Sequence, residues 1–207
     1  MNSHKSRLFF NAFILLTLAS ANIGMPSCLN VQPEMIHLSL NEKTTPEATS
    51  HVIVTWDFDN SGGNQYIKYG LTSDPEKIIR AGKTELYDKV VFKADLDKLK
   101  HGAKYYYKVG SDKEGWSPVY SFYSEPDTCT FRVAVIGDTQ NDVNNDNFII
   151  TKVITDLILT YSPSFTLHMG DIVDDGSIPA YWSGFLSVTQ DLNAVSPLMP
   201  VLGNHGY

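Results

Sequence analysis

The sequence predicts two domains of different class, an all-β sandwich followed by an incomplete α/β domain with the order β-α-β-α-β. Short segments of alternating apolar and polar residues, with turn signals at intervals of roughly ten residues, fill the first part of the chain. Beyond residue 130 they give way to continuous apolar runs separated by helix-length spacers. The predicted boundaries are 33–124 for the β-domain and 129–207 for the α/β domain, with a linker at 125–128.

Alternation and turn residues predict the β-domain. One strand has an apolar residue at every second position, which places one face of it in a core: Val52, Val54, Trp56 and Phe58. The segment 60–63, Asn-Ser-Gly-Gly, predicts a turn after that strand. Further strands are expected at 35–40, 65–69, 90–94, 105–109 and 119–123, which are rich in strand-forming residues.

Three parallel strands are predicted in the α/β domain. Apolar runs at 131–136 and 165–169 are typical of buried strands, and a third short strand, flanked by prolines, is expected at 198–202. Two helices are expected between them, and parallel strands joined in this way have right-handed crossovers. The first helix has an apolar stripe that should face the core: Ile150, Val153, Ile154, Leu157 and Ile158. The second helix is expected at 179–192.

An export signal is predicted at residues 1–21. It has a basic segment, an apolar run at 8–19 and small residues at 19–21 that suit a cleavage site. The apolar run is shorter than the roughly 20 residues that a membrane span needs. The mature protein is therefore expected to be secreted, with no membrane span after signal removal. An uncleaved anchor and lipid attachment at Cys28 are the alternatives.

Charge and cysteine content limit the partners. The formal net charge of −7 argues against binding to a nucleic-acid backbone, which calls for a basic patch. A small phosphorylated substrate remains compatible with this charge, because a bound cation supplies positive charge locally.

Cys28 and Cys129 either pair in an oxidising compartment or stay independent thiols. Neither has a second Cys or a His at metal spacing, so a zinc–thiolate site is not expected.

Each predicted parallel strand ends in glycine followed by a polar residue. The three segments are Gly137-Asp138, Gly170-Asp171 and Gly203-Asn204-His205. Ligands bind at the carboxyl ends of the strands in an open parallel sheet, so these strand tips should meet at one edge. Two carboxylates, an amide oxygen and an imidazole suit a hard cation. A single Gly-Asp pair is an ordinary turn, but three in succession predict a metal site.

These segments resemble the first three motifs of the calcineurin-like metallophosphoesterases, over 137–140, 170–176 and 203–205. In the β-domain, the segments 66–70, 105–110 and 116–122 resemble the fibronectin-III-like N-terminal domain of purple acid phosphatases. The resemblance covers essentially the whole chain after the signal. It implies a fibronectin-III-like sandwich in front of the N-terminal half of a phosphoesterase domain.

The resemblance also implies roles at the strand tips. Asp138 would bind a first metal ion, Asp171 would bridge two ions, and Asn204 would bind the second through its amide oxygen. His205 would face the phosphate instead of a metal. Two ions, drawn from Fe, Zn, Mn or Mg, would clamp a phosphomonoester and make bound water acidic enough to attack it.

Several residues depart from the family pattern. Gln140 stands where related enzymes carry a His, and Asp174 stands where the purple enzymes carry a Tyr. Both, together with His168, are candidates for substitute ligands or for partners that hold the ligands. For His168 the favoured interpretation is a buried core histidine. Gly206 replaces an acidic residue, and the family's later His motifs are absent from the sequence. The second metal site is therefore expected to be incomplete and the isolated chain, as a truncated product or fragment, inactive.

Three functions compete at this point. The first is a metal-dependent phosphatase acting on phosphomonoesters. The second keeps the same fold but takes a diester or a nucleotide as substrate. The third is a non-catalytic relic or scaffold that binds partners through the β-domain.

Overall fold

The computed structural model describes residues 32–40, 50–58, 63–86, 89–125, 130–140 and 148–205. The predicted signal, both cysteines and linker residues 126–128 lie outside this part of the chain. No helix within the described ranges is long and apolar enough to cross a membrane.

The first domain consists of two antiparallel sheets. Its strands are β1 (Glu34–Leu40), β2 (Ser50–Asp57), β3 (Tyr66–Gly70), β4 (Lys77–Arg80), β5 (Gly82–Leu86), β6 (Lys89–Leu99), β7 (Lys104–Ser111), β8 (Gly115–Trp116) and β9 (Tyr120–Tyr123). One sheet has the order β1-β2-β6-β5, and the other has the order β4-β3-β7-β8 with β9 also paired to β7. The expected sandwich is confirmed, although β4, β5 and β8 were not predicted.

Alternation places the sandwich core where the sequence predicts it. Val52, Val54 and Trp56 are fully buried, and Phe58 is nearly so. Trp56 stacks on Phe92 of β6 with ring centroids 6.0 Å apart. Burying an apolar side chain of this size stabilises the fold by about 1.5–3 kcal/mol, so these residues fix which face of β2 points inward.

The second domain has the predicted order of elements. They are β10 (Val133–Ile136), α1 (Ile149–Thr160), β11 (Phe165–His168), α2 (Pro179–Asn193) and β12 (Leu198–Pro200). The three strands pair in parallel in the order β10-β11-β12. Register aligns Ile136 with His168 and His168 with Pro200, so the segments that follow the strands lie at one sheet edge.

The predicted orientation of α1 is wrong. Its apolar stripe is exposed, with Ile150 at 71% and Leu157 at 59% of full exposure, while Thr151 and Thr155 are buried. The reason is that α1 packs on α2, where Lys152 Nζ lies 3.4 Å from Asp191.

The apolar run of β10 is typical of a buried strand, but one face of β10 is exposed. Val133 and Val135 are exposed, and Met169 after β11 is exposed as well. The other face of the sheet is covered by α2, whose Phe185 packs against His168. Val133, Val135, Met169 and the α1 stripe are exposed apolar side chains, of the kind that protein interfaces cover.

The sandwich packs directly against α2 of the second domain. The Tyr107 hydroxyl donates to the Ala194 carbonyl at 2.7 Å in a fully buried contact. Gln190 bridges two strands, since its Oε1 accepts from the Ile36 amide at 3.1 Å and its Nε2 donates to the Tyr120 hydroxyl at 3.2 Å. Buried, satisfied polar contacts of this kind specify one docking geometry. The two domains are therefore held in register at the helix that precedes β12.

Replacing Tyr107 with Phe should destabilise the chain by about 1–3 kcal/mol, because the buried Ala194 carbonyl loses its donor. Urea unfolding of the purified chain measures this cost. Tyr106→Phe is the matched control, since Tyr106 points outward from the same strand and is only half-buried. Equal stability of the two variants would show that the contact with Ala194 contributes nothing.

Candidate functional site

Main-chain hydrogen bonds join the three strand tips. The Asp138 amide donates to the Gly170 carbonyl at 3.1 Å, and the Gln140 amide donates to the Asp171 carbonyl at 3.1 Å. The His205 amide donates to Asp171 Oδ1 at 3.0 Å. Asp171 therefore receives contacts from the segments that follow β10 and β12. These contacts place it between the other two tips, at the edge where the carboxyl ends of the three strands lie.

The backbone is strained at the two aspartates. Asp138 has φ of 53° and Asp171 has φ of 48°, which lie in the left-handed region that non-glycine residues seldom adopt. Gly170, directly before Asp171, has φ of 110°. Strained conformations persist only where surrounding contacts enforce them, and they concentrate at functional sites.

Gly203 allows the third tip to approach Asp171. A Cβ at position 203 would overlap both Oδ1 and the main-chain nitrogen of Asp171. The same added atom at Gly137 would meet only Met169 Cβ, at an ordinary contact distance of 3.4 Å. The glycine before Asn204 is therefore a spatial requirement, because any side chain would displace the Asp171 carboxylate.

A buried histidine connects the first two tips. His168 is fully buried, and its Nδ1 accepts from the Gly170 amide at 3.3 Å. Its Nε2 therefore carries the proton and donates to Thr139 Oγ1 at 2.8 Å. The Thr139 hydroxyl in turn donates to the Ile172 carbonyl at 2.9 Å. We call this set of contacts the His168–Thr139 bridge; it links the residues that flank Asp138 and Asp171.

Burial lowers the pKa of His168, while the carboxylates of Asp138 and Asp171 act in the opposite direction. The lowered pKa agrees with the neutral form that the hydrogen bonds require. A protonated ring would direct a second N–H at the Gly170 amide, which is itself a donor.

Gln140 has an orphaned acceptor beside these tips. Its Oε1 is buried and has no hydrogen-bond partner within the described residues. A buried carbonyl oxygen without a donor costs free energy, and a cation is one group that would satisfy it.

His205 contacts the segment after Asp171. Its Nδ1 lies 2.8 Å from the Asp174 carbonyl oxygen, and Asp174 Oδ1 lies 3.9 Å away. This hydrogen bond, with the charges of nearby aspartates, raises the pKa of His205. The neighbouring Asp175 accepts from the amide and hydroxyl of Ser177 at 2.8 and 2.6 Å, which lowers its pKa.

The charge balance of this edge favours a cation. The second domain contains only two basic residues other than histidine, Arg132 and Lys152. Arg132 donates to the Tyr161 carbonyl, and Lys152 pairs with helix aspartates, so both are engaged elsewhere. Within the described ranges no three or more His, Cys, Asp or Glu side chains form a metal-holding group. The strand tips carry oxygen donors of the kind that suits a hard cation, namely two carboxylates and the side-chain amides of Asn204 and Gln140.

The structure brings some predicted residues into contact and leaves others exposed. Asp171, His205, Asp174 and His168 all take part in the contacts described above, whereas the side chains of Asp138 and Asn204 are exposed. Sequence reasoning missed Thr139, whose hydroxyl joins two loops that are distant in sequence. A hydroxyl residue directly after a strand-tip aspartate is the signal that could have identified it.

Two family models match the chain. The model described as purple acid phosphatase, N-terminal domain, matches residues 33–124. The model described as calcineurin-like phosphoesterase matches residues 131–207.

One curated protein and one solved structure are similar over most of the chain. A protein of Arabidopsis thaliana named probable inactive purple acid phosphatase 9 is 25% identical over 206 residues, which cover 85% of this chain and 31% of that protein. The purple acid phosphatase PPD1 from yellow lupin (Lupinus luteus) seeds matches with a TM-score of 0.66 and 16% identity, over 84% of this chain and 36% of that one. The chain thus spans about a third of the length of each. The lupin match supports the fold alone, and the two family models together cover most of the sequence. Residues 33–124 thus belong to the purple acid phosphatase N-terminal domain family, and residues 131–207 belong to the calcineurin-like phosphoesterase family.

Proposed function

We propose that this chain contributes the first part of a metal-dependent phosphatase site that hydrolyses phosphomonoesters. The observation that carries the proposal is the joined strand tips, where the Asp138 amide donates to the Gly170 carbonyl and the Gln140 amide donates to the Asp171 carbonyl. Gln140 Oε1 is buried there without a hydrogen-bond partner among the described residues, and Arg132 and Lys152 are engaged elsewhere. Family membership supports phosphoester chemistry at that edge.

Asp138, Asp171 and Asn204 would hold the metal ions, and Gln140 Oε1 would add a ligand in place of the family's histidine. A pair of ions in such a site supplies an acidic bound water and neutralises phosphate charge. The metals are drawn from Fe, Zn, Mn or Mg. The protein's own contribution is to fix the carboxylates, through the strained backbone at Asp138 and Asp171 and through the His168–Thr139 bridge.

His205 would act on the phosphate. Its Nδ1 is occupied by the Asp174 carbonyl, so its Nε2 is the nitrogen left for a substrate oxygen. The raised pKa of the ring increases the fraction that carries a proton on both nitrogens. A protonated His205 would donate to the leaving-group oxygen as charge develops there.

Metal binding tests this proposal directly. We expect the purified chain to bind Mn²⁺ or Zn²⁺ in isothermal titration calorimetry, and Asp171→Asn to abolish binding because the residue contacted by both other tips loses its charge. Bound metal should also raise the stability by about 2.7 kcal/mol when it is ~100-fold above its Kd. Asp156→Asn is the matched control, since Asp156 is an exposed helix carboxylate of the same domain.

Binding of less than one ion per chain by the wild type, or equal binding by the two variants, would contradict the metal site. Rates for a phosphomonoester and a phosphodiester, measured on the metal-loaded chain, then separate phosphatase from diesterase activity. A metal-binding chain without either activity would leave the site intact and reject catalysis.

A non-catalytic function is the second candidate. It is favoured by Gln140 at the family's histidine position and by the absence of a three-residue His, Cys, Asp or Glu group within the described ranges. The similar Arabidopsis protein also has the word inactive in its name. On this hypothesis the chain neither binds metal stoichiometrically nor hydrolyses either ester.

A further inference from the structure

The charges of the sandwich are segregated between its two sheets. The strands β3, β4, β7, β8 and β9 contain five basic residues and no Asp or Glu. The strands of the other sheet contain four basic and five acidic residues. In a chain with a net charge of −7, the strands of this sheet therefore carry a local excess of positive charge.

Register decides which of these residues point outward. Ile67, Tyr105 and Tyr107 are buried, so their neighbours in sequence face solvent. The outward set alternates cations with aromatic rings along the strands, and we call it the basic–aromatic face: Tyr66, Lys68, Arg80, Lys104, Tyr106, Lys108, Trp116 and Tyr123.

The ammonium groups lie over the rings. Lys68 Nζ is 4.5 Å and Lys108 Nζ is 5.6 Å from the centroid of Trp116. Lys104 Nζ is 5.2 Å from the Tyr106 centroid and 5.9 Å from that of Tyr123. Cation–π contacts of this kind hold the long side chains in place, so the cations form an ordered array.

Two of these cations repel each other. Lys68 and Lys108 are direct cross-strand partners, and like charges in that position destabilise a sheet. Asp112, in the turn after β7, lies 3.8 Å from Lys68 at the rim and is 86% exposed. An anionic group bound between Lys68 and Lys108 would relieve the repulsion.

We propose that the basic–aromatic face binds a carboxylate-bearing polysaccharide. Such a polymer presents carboxylates at intervals and, between them, flat C–H surfaces that pack on tyrosine rings and lysine stems. Phosphate backbones carry a much denser charge than such a polymer, and binding them calls for a larger basic surface than the four outward cations Lys68, Arg80, Lys104 and Lys108 provide. Insertion into a bilayer needs protruding apolar side chains, and Ile78 is the one exposed aliphatic side chain at the outward strand positions of this sheet. This function is independent of the proposed metal site.

Binding of polygalacturonate to the full chain tests the proposal, by calorimetry at low and high salt. We expect affinity that falls as salt rises. The variant Lys68→Gln/Lys104→Gln/Lys108→Gln should bind about tenfold more weakly. Lys83→Gln/Lys93→Gln/Lys98→Gln makes the same change of charge on the other sheet and should bind within about twofold of the wild type. Circular dichroism confirms that each variant is folded.

A second variant separates packing from charge. Tyr66→Ala/Tyr123→Ala should weaken binding at every salt concentration without changing the salt dependence, since no charge is removed. Equal losses in the two lysine variants would overturn the proposal, as would equal binding of a neutral galactan. Tighter binding of single-stranded DNA, an acidic peptide or anionic vesicles than of polygalacturonate would also overturn it.

Discussion

Gly203→Ala should remove metal binding and lower the stability of the chain by about 1–3 kcal/mol. The added Cβ would occupy the space of Asp171 Oδ1 and the Asp171 amide nitrogen, so the carboxylate must move. That movement also breaks the hydrogen bond from the His205 amide. Titration calorimetry with Mn²⁺ and urea unfolding measure the two effects.

Gly137→Ala provides the control for this experiment. It adds the same atom at the corresponding strand tip, where the nearest neighbour is Met169 Cβ at 3.4 Å. We expect its stability to lie within about 0.5 kcal/mol of the wild type, as for substitutions without a special mechanism. Similar losses of metal binding and stability in both variants would contradict this explanation. They would mean that the flexibility of glycine at the strand tips matters, and not the close approach of Gly203 to Asp171.

His168→Ala should destabilise the chain by about 2–4 kcal/mol, because it leaves a cavity beside Phe185 and unpairs buried polar groups. Thr139→Val keeps the side-chain shape and removes only the hydroxyl of the bridge. A double-mutant cycle between the two positions should give a coupling energy of about 1 kcal/mol.

Thr139→Val should also weaken metal binding about tenfold, the size of effect seen when residues that orient ligands are changed.

The pH dependence of stability tests whether burial holds His168 neutral in the folded chain. Burial holds the pKa of His168 below its ordinary value of 6.5, so the unfolded chain binds this proton more tightly than the folded chain. Stability from this residue is therefore present above about pH 6.5 and decreases as the pH falls toward the lowered pKa. His168→Gln should show a smaller decrease over that window. An unchanged pH profile would show that His168 is not held neutral.

Sequence reasoning predicted the sandwich well because its signals are local. Alternation along β2 fixes which side chains share a face, and only one face can be buried in a two-layer fold. The edge strands β4 and β5 were missed because their side chains are largely exposed. Without a buried face, a strand leaves no alternating pattern.

The orientation of α1 shows the limit of periodicity. The spacing of its apolar residues correctly predicted a helix with a stripe, but a stripe carries no information about which neighbour covers it. In the structure α2 contacts the face of Thr151 and Thr155. Helix position therefore depends on tertiary packing, which the local sequence does not encode.

At the candidate site, the sequence by itself determined that Asp138, Asp171 and Asn204 follow three strands separated by helices, because the motifs and the order of elements along the chain are both properties of the linear chain. Only the tertiary structure decided that Gly203 lies against Asp171, that His168 links to Thr139, and that Gln140 Oε1 is buried without a partner among the described residues. The segregation of charge between the two sheets belongs to this second group, since it depends on which strands pair. Contacts between residues distant in sequence arise from chain folding, so residue spacing alone cannot specify them.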